Sequence, residues 1–221
     1  QYVRALTNDI PDEKILLGQG LERLDLVNKV AHTSSGEEIS FEYVISSAPF
    51  DRLLSMTSLE HDASAFSYNK VLVFNLGFDR KGPEEVHWTY FPEYDYRFYR
   101  IGFYDNIMNT DRMSLYVEIG YPADGTPDVE AELERTLQDL EKAGIVDGHE
   151  LVSWHTVTLD PAYVHITQES RAQFDKLSDL LKMRGVHSIG RYGGWTYCSI
   201  EDNIVEAREL AKQLNLLQKA T

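Results

Sequence analysis

"GRYGGWTYCSIEDN", residues 190–203, gathers one arginine, three glycines, three aromatic side chains and a Ser-x-x-Asp helix start. The four residues before it, Val186 to Ile189, read as a short strand. Ser199 with Asp202 three positions on reads as a capping box that opens a helix. Gly190 to Cys198 is then a loop that delivers the chain to a helix N-terminus. Such an end presents unpaired N–H groups and a partial positive charge, which favour a phosphate or a carbonyl-rich ring edge. Gly190, Gly193 and Gly194 would let backbone approach a ligand, and Arg191 adds a cation of forked geometry. The residues alone leave two readings open: an anion site, or a glycine-rich loop with a packed Trp195 and a structural Arg191 ion pair.

Working back from this segment, two further helices are well marked. One starts from a Thr126 cap with Pro127 in its first turn and carries Val129, Leu133, Leu137 and Leu140 on a single stripe before Gly144. The other runs from a Thr167 cap through Phe174, Leu177 and Leu181 to Gly185. The helix after Ser199 is expected to turn Ile204, Ala207, Leu210, Ala211 and Leu214 inward. Strands are expected at Lys70 to Phe78, Val86 to Phe91, Phe98 to Tyr104, Met113 to Tyr121 and Leu151 to Leu159, the first four as one antiparallel sheet. Earlier still, Ile15 to Gly18, Leu21 to Leu26, Lys29 to Thr33 and Ile39 to Ser46 read as a small β-meander. "SSAPFDRLLSM" bends at Pro49 into a short helix, and the polar stretch "TSLEHDASAFSYN" marks a crossing between domains.

Composition bounds what these elements can do. The chain has 221 residues at 43% hydrophobic, enough for one sizeable core or two small ones. Lys and Arg number 21 against 36 Asp and Glu; the net charge of -15 argues against nucleic acid or an anionic membrane surface as main partner. A small anion remains possible where a few arginines converge. Cys198 is the single cysteine, so an intramolecular disulfide is excluded, and a reducing cytoplasm is the expected location. The seven histidines show no metal-binding spacing, and neither a Gly-x-Ser-x-Gly elbow nor a Walker loop occurs. No apolar run reaches membrane-spanning length, and a start at "QYVRALTNDIP" reads as an excised piece.

"GRYGGWTYCSIED" resembles the flavin-closing motif near the C-terminus of the UDP-galactopyranose mutases, especially the eukaryotic type, and of their protoporphyrinogen-oxidase-like relatives. A second block, "HWTYFPEYDYRFYRIGFYDN" (His87 to Asn106), is similar to the mutase stretch in which Tyr-Phe-Pro-Glu precedes Phe-Tyr-Arg and an Asn-bearing loop. A weaker third block is "LDPAYVHIT". Order and spacing agree over about Lys70 to Leu217. The first seventy residues resemble the β-meander and Ala-Pro turn, "VISSAPFDRLL", of the wider flavin amine oxidase superfamily.

The resemblance implies an α+β chain that is the C-terminal half of an FAD-dependent enzyme. Residues 1–58 would be the tail of the FAD-binding domain. Residues 59–185 would be a substrate domain built on an antiparallel sheet, and residues 186–221 a flavin-closing loop and C-terminal helix. No GxGxxG occurs here, so the partner implied is a missing N-terminal FAD-binding half, and alone this chain should lack most of the cofactor's binding energy. Arg100 matches the mutase arginine that binds a nucleotide-sugar pyrophosphate, and Tyr163 and Tyr197 match phenols that donate to its phosphates. Gly190, Arg191, Trp195 and Asp202 match positions beside the flavin. The alternative for Arg100 is an exposed cross-strand ion pair with Asp or Glu, and Asp202 could equally be no more than a cap.

The pattern departs from the mutases where "PAYVH" replaces His-Gly-Tyr-Pro, and where the loop between Tyr197 and Asp202 is one residue short. The activity implied is interconversion of the pyranose and furanose forms of UDP-galactose without net redox change, the reduced flavin carrying the chemistry. Two alternatives stay open. One is an oxidase of the protoporphyrinogen-oxidase or amine-oxidase kind, with a larger or less charged substrate. The other is a non-catalytic binding module.

Overall fold

The structure, a computed structural model, describes residues 2–220, with side chains from 3 to 216. In chain order, helix α1 (Tyr2–Thr7) and a 3-10 turn lead into strands β1 (Leu21–Asp25), β2 (Val30–Thr33) and β3 (Glu38–Ser40), an antiparallel meander. Residues 15–18, expected as a strand, are irregular. The run expected as one strand from Ile39 to Ser46 is interrupted, and its second half, β4 (Val44–Ser46), joins a different sheet. Helix α2 (Phe50–Ser55) follows Pro49 at its N-cap and buries Phe50, Leu53 and Leu54.

The middle of the chain forms β5 (Tyr68–Phe78), β6 (Trp88–Tyr90), β7 (Arg100–Phe103), the single turn α3 (Tyr104–Met108), β8 (Ser114–Pro122), α4 (Val129–Lys142) and β9 (Leu151–Val164). The last part forms α5 (Gln168–Lys182), β10 (Val186–Ser188), the short α6 (Gly190–Gly193) and α7 (Ile200–Ala220). Two compact units result: 1–65 with 166–221, and 66–165. Helix α5, placed by the sequence reading with the substrate domain, belongs to the first unit. Phe174 of α5 packs on Phe50 at 4.6 Å, and Arg171 Nη1 donates to the Gly194 carbonyl at 3.2 Å.

In the first unit β10 pairs with β4 in parallel, Val186 opposite Val44 and Ser188 opposite Ser46. Thr167 caps α5 reciprocally with Ser170. Along α7 only Leu210 and Leu214 of the five residues expected inward are buried; Ile204 and Val205 are 47% and 40% exposed. Ala207 and Ala211 are exposed as well, and one flank of α7 has no layer over it within the described residues.

In the second unit five antiparallel strands lie in the order β6-β7-β8-β5-β9. Side chains alternate across a sheet, and one face carries Leu72, Phe74, Leu76 and Phe78 of β5, Ile101 and Phe103 of β7, and Leu115, Val117 and Ile119 of β8. All are buried, and they pack with α4 through Leu133, Leu137 and Leu140. Burying apolar area at roughly 25 cal/mol per Å² makes this layer the main stabilising term of the unit. The cap of α4 is Asp128, which accepts from the Ala131 N–H at 3.1 Å, rather than the expected Thr126. An aspartate at that position outcompetes a threonine two residues earlier. The opposite face of the sheet carries the polar and aromatic residues described next.

Candidate functional site

Register sets the polar face. Arg100 of β7 stands directly opposite Glu118 of β8 and Tyr90 of β6, while Gly102 stands opposite Tyr116 and Trp88. Nη2 of Arg100 donates to Glu118 Oε1, and the Tyr99 hydroxyl donates to Oε2 of the same carboxylate. The guanidinium reaches two more phenols at long range: Nη1 to the Tyr90 hydroxyl at 3.4 Å and Nη2 to the Tyr163 hydroxyl at 3.5 Å. Its Nε is buried without a hydrogen-bond partner among the described residues.

Tyr163 gets there through an irregularity in β9. Between the pairs Val71–Leu159 and Asn69–Tyr163, β9 spends four residues where β5 spends two, and Asn69 Oδ1 then accepts the Tyr163 N–H at 3.0 Å. Such bulges re-aim a side chain without ending the ladder.

The electrostatics follow from this packing. Burial works against the charged Arg100 guanidinium, but the hydrogen bonds to Glu118 and Tyr90 and the charge of Glu118 outweigh it, so its pKa stands above the ordinary arginine value. Burial, then the hydrogen bond to Glu118, raises the Tyr99 phenol well above its usual range. Burial also raises Tyr104 and Tyr116. The face therefore presents the Arg100 cation, already paired with a carboxylate, among phenols. Arg100 is thus a cross-strand ion pair, half-buried rather than exposed, and it sits beside Tyr163.

The other predicted residues lie in the first unit. Gly190 to Gly193, expected as open loop, wind into α6, and Gly190 adopts φ +82°. The Gly190 N–H donates to Glu206 at 2.8 Å, the Arg191 N–H to Asn203 Oδ1 at 3.0 Å, and the Gly194 N–H to the Gly190 carbonyl at 2.7 Å. A Cβ on Gly193 would stand 3.0 Å from the Ser46 carbonyl and 3.0 Å from Ser188 Oγ, so that glycine is demanded by close packing on β4 and β10. Trp195, expected to shape the approach to a ring, is 0% exposed. Asp202 accepts the Ser199 N–H at 2.8 Å and the Ser199 hydroxyl at 2.8 Å, which completes the capping box and lowers its pKa.

These residues test what the loop could hold. The first turn of α7 already carries Glu201 and Asp202, and Glu206 serves the Gly190 N–H. Carboxylates there satisfy the helix end and repel a phosphate. The Arg191 guanidinium lies 4.4 Å over the Tyr197 ring, whose residue is 70% exposed, so a planar cation–aromatic pair is presented at the surface.

Sequence reasoning missed Glu118, Tyr99 and Tyr90. The only local signal was a charge inside the apolar run "LYVEIGY", which looks like an ordinary solvent-facing position. Among the described residues no group of side chains is arranged to hold a metal ion, and no helix is long and apolar enough to cross a membrane.

A sequence family described as flavin containing amine oxidoreductase matches residues 1–215. The chain belongs to that family. Among solved structures, this flavin-containing amine oxidoreductase chain is similar to a reduced UDP-galactopyranose mutase at 25% identity and TM-score 0.79, over 88% of this chain and 46% of that one. It shares the fold of a candidate protoporphyrinogen oxidase from Exiguobacterium sp. 255-15 at 16% identity and TM-score 0.62, over 76% and 40% of the two chains. It also shares the fold of a CLA-producing fatty acid isomerase from P. acnes at 12% identity and TM-score 0.62, over 88% and 47%. The chain thus spans less than half the length of each. No curated protein sequence matches it. The α+β architecture with antiparallel sheets accords with this family, whose members use a flavin.

Proposed function

We propose that this chain is the C-terminal half of an FAD-dependent enzyme of the UDP-galactopyranose mutase type, acting on a nucleotide sugar in the cytoplasm. The observation that carries the reading is the convergence of Arg100 and Tyr163, 63 residues apart in sequence, with their polar atoms 3.5 Å apart on one face of the sheet. A guanidinium suits two phosphate oxygens at once, and phenols add donors without adding charge. The likeness in fold and sequence to a UDP-galactopyranose mutase supports the same reading.

In this reading Arg100 binds the pyrophosphate and stabilises the charge that builds up as UDP departs, while Tyr163 donates to a phosphate oxygen. Tyr197 is a further phosphate donor. Gly190 and Arg191 lie beside the flavin ring, and Trp195 and Asp202 hold the turn that carries them. The flavin, when bound, supplies the chemistry at the sugar carbon.

A second reading has one observation in its favour. Arg100 is already paired with Glu118, and the same face leaves Trp88 and Tyr90 59% and 58% exposed, with Leu159 42% exposed. Such a surface also suits an oxidase acting on a larger, less charged substrate.

The deciding experiment uses the full-length protein with its N-terminal half. FAD-loaded enzyme is reduced with dithionite and incubated with UDP-galactofuranose, and UDP-galactopyranose is followed by chromatography. Conversion that is lost in an Arg100→Ala variant still holding FAD supports the mutase reading. Flavin-loaded protein with no conversion and no UDP-dependent spectral change overturns it in favour of the oxidase.

A further inference from the structure

We propose that Glu118 is the positioning residue of the Arg100 anion site, holding the guanidinium through Nη2 so that Nη1 is left for the ligand. The inference rests on the nucleotide-sugar reading above.

Glu118 sits on β8, inside the five-stranded sheet, and is 7% exposed. A carboxylate taken that far from water costs several kcal/mol unless its oxygens are satisfied. Here both are: Oε1 accepts from Arg100 and Oε2 from Tyr99, the residue immediately before Arg100 in the chain. The carboxylate therefore ties down two consecutive side chains entering β7. Nη1 is held loosely, its one hydrogen bond among the described residues being to the Tyr90 hydroxyl at 3.4 Å, and the Tyr163 hydroxyl lies 3.5 Å from Nη2; both are at the outer limit of a hydrogen bond. A tight contact at Nη2 and a long one at Nη1 suit a cation held in place on its own protein while a ligand oxygen displaces the Tyr90 phenol.

A negative charge beside an anion site weakens the long-range attraction of a phosphate. Its presence is understandable if orientation of the guanidinium is worth more than that attraction, since a preorganised fork loses little entropy when it binds.

The test is a double-mutant cycle on the full-length, FAD-loaded protein, with UDP as probe and the thermal midpoint as a control on folding. Glu118→Gln should weaken UDP binding about tenfold, within the range for directly contacting residues, and should change it by less than about twofold when Arg100 is already Ala. Tyr99→Phe, which removes a single hydroxyl, should weaken UDP binding by about twofold to threefold, again only when Arg100 is present. It decides the question if Glu118→Gln does not fold. Unchanged or tighter UDP binding in Glu118→Gln and Tyr99→Phe overturns the proposal, as does an equal loss with and without Arg100, which would mean that Glu118 acts through the fold. If Arg100→Ala itself leaves UDP binding unchanged, the nucleotide-sugar reading has failed, and this inference with it.

Discussion

Tyr116 lies across Gly102, its directly opposed partner on the neighbouring strand, so that the phenol ring fills the space where a Cβ would be. The ring also packs against Tyr104 at 5.2 Å. A glycine in the interior of a strand weakens it unless a neighbour covers it, and here the covering ring lies two residues along β8 from Glu118.

Gly102→Ala should therefore destabilise the protein by about 1–3 kcal/mol, the usual cost of forcing atoms into a filled space. Chemical denaturation would measure it. In a Tyr116→Leu background the same substitution should cost much less, because the ring it displaces is gone. An equal loss in both backgrounds would show that the ring is not the obstacle.

Gly193 answers a different constraint. Its Cα faces the Ser46 carbonyl and Ser188 Oγ, each 3.0 Å from the position of an added Cβ. Gly193→Ala should lower stability by about 1–3 kcal/mol, whereas Gly120→Ala, which meets nothing within 4 Å, should stay within about 0.5 kcal/mol of the parent. If the two variants melt alike, the packing account of Gly193 is wrong.

Asp202 gives α7 a pH dependence whose sign is set by its lowered pKa. The Ser199 N–H, then its hydroxyl, stabilise the ionised carboxylate in the fold. The contribution is present above the ordinary aspartate value near pH 4 and is lost as pH falls through the lower folded value. Amide exchange at the start of α7 should accelerate as the pH drops below about 4, once corrected for intrinsic rates. Asp202→Asn should exchange faster at neutral pH and lose that added acid dependence; identical profiles for the two proteins would refute the assignment.

Cys198 is half-buried, and burial, then the nearby Asp202 and Glu206 charges, raise its thiol pKa. At pH 8 iodoacetamide should alkylate it more slowly than it alkylates glutathione, because less thiolate is present. Being the single cysteine, it is the only thiol labelled. A rate equal to or above that of glutathione would contradict the assigned environment.

Much of this chain could be read directly. Apolar and β-branched residues in "KVLVFNLGF" and "SLYVEIG" marked β5 and β8 as strands, and the Thr167 cap and Ser199 with Asp202 announced two helix starts. These signals depend on residues within four positions of each other, so sequence alone determines them. Arg100 and Tyr163 could be named as site residues only through resemblance, since nothing near either one in sequence marks it.

What tertiary structure decided is which residues face each other. Strand register sets Glu118 against Arg100, 18 residues away, and the β9 bulge re-aims Tyr163 toward the same guanidinium. Asp202, for which a helix cap and a place beside the flavin stood level in the sequence, caps α7, and Trp195 is buried. The physical reason is the same in each case. Periodicity and capping report how one element meets water and ends, whereas register and packing are settled only when distant elements compete for the same core.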